Sequence, residues 1–147
     1  MNLQRFLERA REMGDDSRRK ERAIDPMLER LSRRFWPWRE SRLLILAAIA
    51  GTLDFSSTYA ALELSPNPLY EHGEMAAWAL QKGGFFGLLF FDIVAVGTLC
   101  LIAIGIRKVY SRIGLPGFAR IGFVAVLIPY IVVAIAIVFN NVVLTFI

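Results

Sequence analysis

Three long apolar runs leave this chain few folds to choose from. They cover residues 43–64, 84–106 and 121–146. Each reaches the ~20 residues that carry an α-helix across ~30 Å of hydrocarbon. None shows the ~10-residue alternating pieces of a transmembrane β-strand. The sequence therefore predicts an all-α membrane protein, with three transmembrane helices preceded by amphipathic cytoplasmic helices. Charge is segregated in the same sense: residues 1–42 hold 12 Lys/Arg and 8 Asp/Glu, leaving 5 of each sign for the other 105 positions. So little polar surface cannot cover a water-soluble fold. Soluble enzymes, secreted disulfide scaffolds and disordered tails are excluded on that ground. Cys100 is the one cysteine and cannot form an intramolecular disulfide.

The connections set an expected orientation. The segment before the first span carries the 12 basic residues, and the connection 107–120 carries Arg107, Lys108, Arg112 and Arg120 with no acid. The connection 65–83 has Lys82 against Glu71 and Glu74. Basic short loops stay inside. The expectation is a multi-pass protein of the cell (plasma or inner) membrane, N-terminus cytoplasmic and C-terminus outside. Insertion is expected to be directed by the spans, since no ~7–15-residue apolar core follows Met1.

Residues 1–42 divide from the 43–147 transmembrane domain as a basic amphipathic segment. Leu3, Phe6, Leu7, Ala10 and Met13 recur at helical spacing, as do Ile24, Met27, Leu28, Leu31 and Phe35. Gly14–Ser17 reads as a break, and Asp25-Pro26 reads as an N-cap with Pro at the first helical position. Helices apolar on one side and basic on the other lie in the membrane interface or on a partner. Trp36 and Trp38 suit the headgroup level. Arg33, Arg34, Arg39 and Arg42 would meet anionic lipid headgroups there, at about 1 kcal/mol each. No nucleic-acid partner is expected, because acids dilute the bases and no recognition motif appears.

Two carboxyls lie inside the spans. Asp54 falls about 15 Å and Asp92 about 12 Å below the outer surface, at 1.5 Å per residue. A membrane-centre Asp costs roughly 2.5–3.5 kcal/mol. Ala47, Gly51, Asp54, Thr58 and Ala61 share one helical stripe of small side chains, which permits close helix approach. Tyr130, beside Pro129, falls near the depth of Asp54, and Asn140 and Asn141 lie in the outer part of the third span. Three roles are open for the carboxyls: interhelical hydrogen-bond anchors, a proton or cation path, or part of a metal or catalytic site. The last two need an oligomer or a partner, since three helices do not enclose a hydrated path.

The outer connection offers Glu63, Asn67, Glu71, His72 and Glu74 as oxygen and nitrogen donors, at a spacing that matches no strong metal motif. No phosphate loop, nucleophile elbow or other complete catalytic set is present, and the sequence assigns neither the cofactor nor the metal, both of which stay open.

Leu53-Asp54-x-x-x-Thr58, then Asn67-Pro68-Leu69, then a span opening with Phe85-Phe86, together resemble an uncharacterised family of small prokaryotic three-span membrane proteins. Its members show an Asp-x-x-x-Thr first helix and an acidic-x-Asn-Pro turn. The resemblance covers roughly residues 43–106. Ser65 stands where the family has an acid, and Asp92 falls where many members carry Lys, so the Asp–Lys pair of the family is not implied here. The family supplies no activity. The leading expectation is a non-enzymatic integral membrane subunit in a homo- or hetero-oligomer with other membrane proteins. A proton- or cation-coupled component using Asp54 and Asp92, and a membrane-embedded metal-dependent enzyme, are the alternatives.

Overall fold

The computed structural model describes residues 3–64 and 74–146, with side chains from 15 to 64 and from 74 to 145. Those residues form four α-helices and no strand: α1 (Leu3–Phe35), α2 (Glu40–Leu64), α3 (Glu74–Arg112) and α4 (Pro116–Phe146). The last three are long and apolar enough to cross a membrane. They overrun the apolar runs at the charged end, where α2 begins at Glu40, α3 continues to Arg112 and α4 begins at Pro116.

α1 is one helix rather than two. It passes through Gly14–Ser17 and through Pro26 without interruption. Lys20 and Asp16 pair at 2.6 Å across one turn of the polar stretch, the i,i+4 spacing that supports propagation. The Asp25 side chain caps another helix instead of its own. Its Oδ1 accepts the Phe118 N–H at 2.9 Å. α4 needs that acceptor, because the residue before its first turn is Leu115, which has no side-chain oxygen. α1 ends at Phe35, one residue short of the Trp36-Pro37 pair that disfavours further α backbone.

Two glycines at positive φ shape the turns. Gly114 (φ 78) closes α3. The Leu115 N–H bonds to the Tyr110 carbonyl at 3.0 Å and the Gly114 N–H to that of Ser111 at 3.3 Å, which is the Schellman pattern. Pro116 then starts α4 where a missing N–H costs nothing. Gly84 (φ 57, ψ −153) divides α3. That backbone region is open essentially to glycine alone. The break brings Gly87 against the Ala79 carbonyl, so closely that a Cβ on Gly87 would collide with it. Residues 74–83 are thus a short helix bent sharply against the start of the span. Gly84→Ala should lower stability in detergent by about 1–3 kcal/mol. A Cβ at Gly84 meets no atom within 4 Å, so the loss reports backbone conformation alone. A thermal midpoint equal to wild type would show the bend to be dispensable.

α4 is the hub. It packs against α1, α2 and α3; among the described residues α1 touches α4 alone and the α2–α3 contact is the smallest. Trp36, Leu43, Ala47, Ala103, Phe123, Val124 and Leu127 make the main core, nearest the charged end. In lipid such a core is held by dispersion and close fit rather than by exclusion of water. The face α1 turns to α4 carries Asp25 and Ser32, both buried, and Trp36, just past its end, is buried as well. Ile24, Met27, Leu31 and Phe35 are exposed. Ile24 precedes Asp25 by one residue, so the two faces stand roughly 100° apart around the helix.

Candidate functional site

The polar groups of the spans gather in two layers. In the first, Gly51 is buried on α2 and a Cβ there would stand 2.8 Å from both the Tyr130 hydroxyl oxygen and Val96 Cγ2. The missing side chain is what lets the phenol of α4 reach α2. Asp54 follows Gly51 by one turn of α2. Asp92 on α3 lines a cleft of about 240 Å³ between α2 and α3, with Ala48, Gly51, Thr52, Leu89 and Val96 among its walls.

The second layer lies one to two turns further along α2. Asn141 Nδ2 donates to Ser57 Oγ at 3.2 Å and to Thr58 Oγ1 at 3.0 Å. Ser57 Oγ donates back to the Asp54 carbonyl at 3.0 Å, which links the two layers along α2. Asn140 faces away and is exposed. The small stripe of α2 is therefore largely consumed within the chain: Ala47, Gly51 and Ala61 are buried.

Glu63 and Glu74 are exposed at the ends of their helices, while Asn67, Glu71 and His72 lie outside the described residues. Among the described residues no group of three or more His, Cys, Asp or Glu side chains is placed to hold a metal ion.

A third polar group sits at the charged end. Arg120 of α4 donates through Nη2 to the Trp36 carbonyl at 2.7 Å and to that of Trp38 at 3.3 Å. It stands 3.6 Å from the Glu40 carboxylate, which pairs at 2.6 Å with Arg107 of α3. Glu40 and Arg120 have only 10% and 15% of their side chains exposed. One carboxylate thus joins α2, α3 and α4, and one guanidinium fixes the α1–α2 connection. Trp36 and Trp38 meet edge to face at 4.9 Å, and the Trp36 indole donates to the Arg39 carbonyl at 3.2 Å. Arg39 and Arg42 are exposed.

No family model, curated protein or solved structure matches the chain. The site must be interpreted from its own chemistry.

The sequence reading missed Glu40 and gave Asp25, Arg107 and Arg120 other roles, a cap of its own helix and loop charge. A signal was there: Glu40, Arg107 and Arg120 are ionisable groups of opposite sign at matching ends of adjacent spans. Counting the two arginines as loop charge concealed their pairing.

Proposed function

We propose that the chain is a small integral membrane subunit, oriented with α1 in the cytoplasm and assembling with other copies or other membrane proteins through α3. The observation that carries the reading is how little of α3 is covered: 6% of its most apolar window is buried inside the chain, against 28% for α2 and 22% for α4. Its open face includes Val94, Gly97, Thr98, Leu101 and Gly105. Small residues let a neighbouring backbone come close, and a Cβ at Gly97 or Gly105 meets no atom of the chain within 4 Å. α1 completes the picture as an interfacial collar. Its docked face and its Ile24/Met27/Leu31/Phe35 stripe are about a quarter-turn apart, the disposition of a helix that leans sideways on the bundle and rests its apolar stripe on lipid.

Native mass spectrometry in mild detergent should find a fixed oligomer or a stoichiometric complex. Gly97→Ile combined with Gly105→Ile should dissociate it while leaving helicity unchanged. A folded, monodisperse monomer of the wild type would overturn the assembly reading.

The Asp54–Tyr130–Asp92 layer favours a second reading, a proton- or cation-coupled component. Asp54→Asn and Asp92→Asn should each abolish a pH- or ion-dependent flux in proteoliposomes. Flux that survives both substitutions would eliminate this role.

A further inference from the structure

We infer that the groove between the Trp36–Trp38 pair and the first turns of α2 is a binding site for one anionic phospholipid, with its phosphate on Arg42. This inference rests on the reading that α2 enters a bilayer at its Glu40 end.

The groove has a volume of about 320 Å³ and is lined by Trp36, Trp38, Arg42, Ile45 and Leu46. Ligand clefts run from roughly 300 to 1,000 Å³. Its chemistry is graded along the helix axis. Arg42 is at the mouth. Ile45 and Leu46, three and four residues on, share its face and lie about 4.5–6 Å deeper. A cation above two aliphatic side chains matches a phosphate above the start of an acyl chain. The indoles form the side wall at the level where amphipathic rings favour the membrane boundary.

That wall is built, not incidental. Trp36 is 8% exposed and belongs to the core. The carbonyls of Trp36 and Trp38 are both held by Arg120, and the Trp36 indole N–H is held by the Arg39 carbonyl. Trp38 remains 54% exposed beside it.

Local charge completes the case. Glu40, two residues before Arg42, is already engaged by Arg107 and Arg120. None of Arg34, Arg39 and Arg42 forms an ion pair with another described residue, whereas Arg33 is paired with Glu29. Arg42, which lines the groove, therefore gives its rim uncompensated positive charge, while Arg34 lies outside the lining. A zwitterionic lipid presents an ammonium to that rim along with its phosphate. An anionic lipid does not.

The test uses the full chain with Trp78→Phe, which leaves only Trp36 and Trp38 as indoles, in vesicles holding equal fractions of chain-brominated phosphatidylglycerol or chain-brominated phosphatidylcholine. Tryptophan quenching by the anionic lipid should be stronger, with an apparent affinity about fivefold higher, the order expected for one arginine near an anionic surface. Arg42→Gln should bring the two lipids level, Arg42→Lys should restore most of the preference, and Arg34→Gln should leave it in place, with helicity unchanged throughout. Equal quenching by both lipids in the parent protein would overturn the site. So would equal losses from Arg42→Gln and Arg34→Gln, since these would show diffuse attraction to the surface. Quenching by neither lipid would overturn the membrane placement of α2 itself.

Discussion

Glu40→Ala should cost about 3 kcal/mol of stability, the lower end of what removing one partner from a buried ion pair produces. The carboxylate sits between Arg107 and Arg120 and is 10% exposed. Its loss leaves two guanidiniums facing each other. Arg107 is 53% exposed and recovers water, which holds the cost below the upper end. Arg120 has no such escape, because its Nη2 is committed to the Trp36 and Trp38 carbonyls. Equilibrium unfolding in detergent micelles, followed by tryptophan emission, measures the loss. Glu40→Gln should fall between alanine and wild type, since it keeps the shape and an acceptor but not the charge. The Glu40→Ala/Arg120→Ala double variant should lose less than the sum of the two single variants, because residues in one network couple. A single-variant loss below about 1 kcal/mol would place Glu40 among ordinary surface charges.

Gly117→Ala should detach α1 from the bundle. A Cβ there would strike the backbone carbonyl of Asp25, and Asp25 Oδ1 lies close behind it. Backbone cannot swing aside as a side-chain tip can. Overpacking of this kind costs about 1–3 kcal/mol, and the lost cap on the Phe118 N–H adds about 1 kcal/mol. A combined cost near 3 kcal/mol raises the undocked population roughly 100-fold, at 1.4 kcal/mol per tenfold. Limited trypsin digestion of protein in vesicles reads that population, because the described part of α1 is rich in exposed Lys and Arg. Cleavage between Arg18 and Arg34 should accelerate by one to two orders of magnitude, with α2–α4 left intact. Asp25→Ala should show a milder form of the same change, and Asp25→Asn, which keeps the accepting oxygen, should be close to wild type. Wild-type digestion kinetics for Gly117→Ala would mean that α1 is held elsewhere.

The three membrane-length helices were legible because hydropathy over ~20 residues belongs to composition and needs no partner. The common layer of Asp54, Asp92 and Tyr130 was half legible. Depth follows from counting residues along each span, but which groups face one another depends on how the helices pack: Gly51 meets the Tyr130 hydroxyl of α4, and Asp92 of α3 lines a cleft with Gly51. The small stripe Ala47/Gly51/Ala61 signalled close approach, and close approach is found. Its neighbour is the Tyr130 hydroxyl of the same chain, a pairing that periodicity along one helix cannot specify. The continuity of α1 was not legible. Asp25-Pro26 carries the local signature of a helix start, and that signature was overridden by a partner 93 residues away. The bend at Gly84 was legible in place, since the second apolar run begins there, but not in form, because φ is not written in hydropathy.

The hub position of α4 orders the assembly of the molecule in time. Translation runs from α1 to α4, yet among the described residues α1 touches only α4, and α2 rests more on α4 than on α3, its neighbour in the chain. Until Pro116 and the turns after it have emerged, Asp25 has no amide to accept from and Arg120 is not there to clasp the Trp36 and Trp38 carbonyls. The first helix made is thus among the last to be fastened. A ribosome stalled before residue 116 would leave the nascent chain with its basic arm unanchored, and a ribosome stalled beyond residue 124, once exit-tunnel length is allowed for, would leave that arm locked in place.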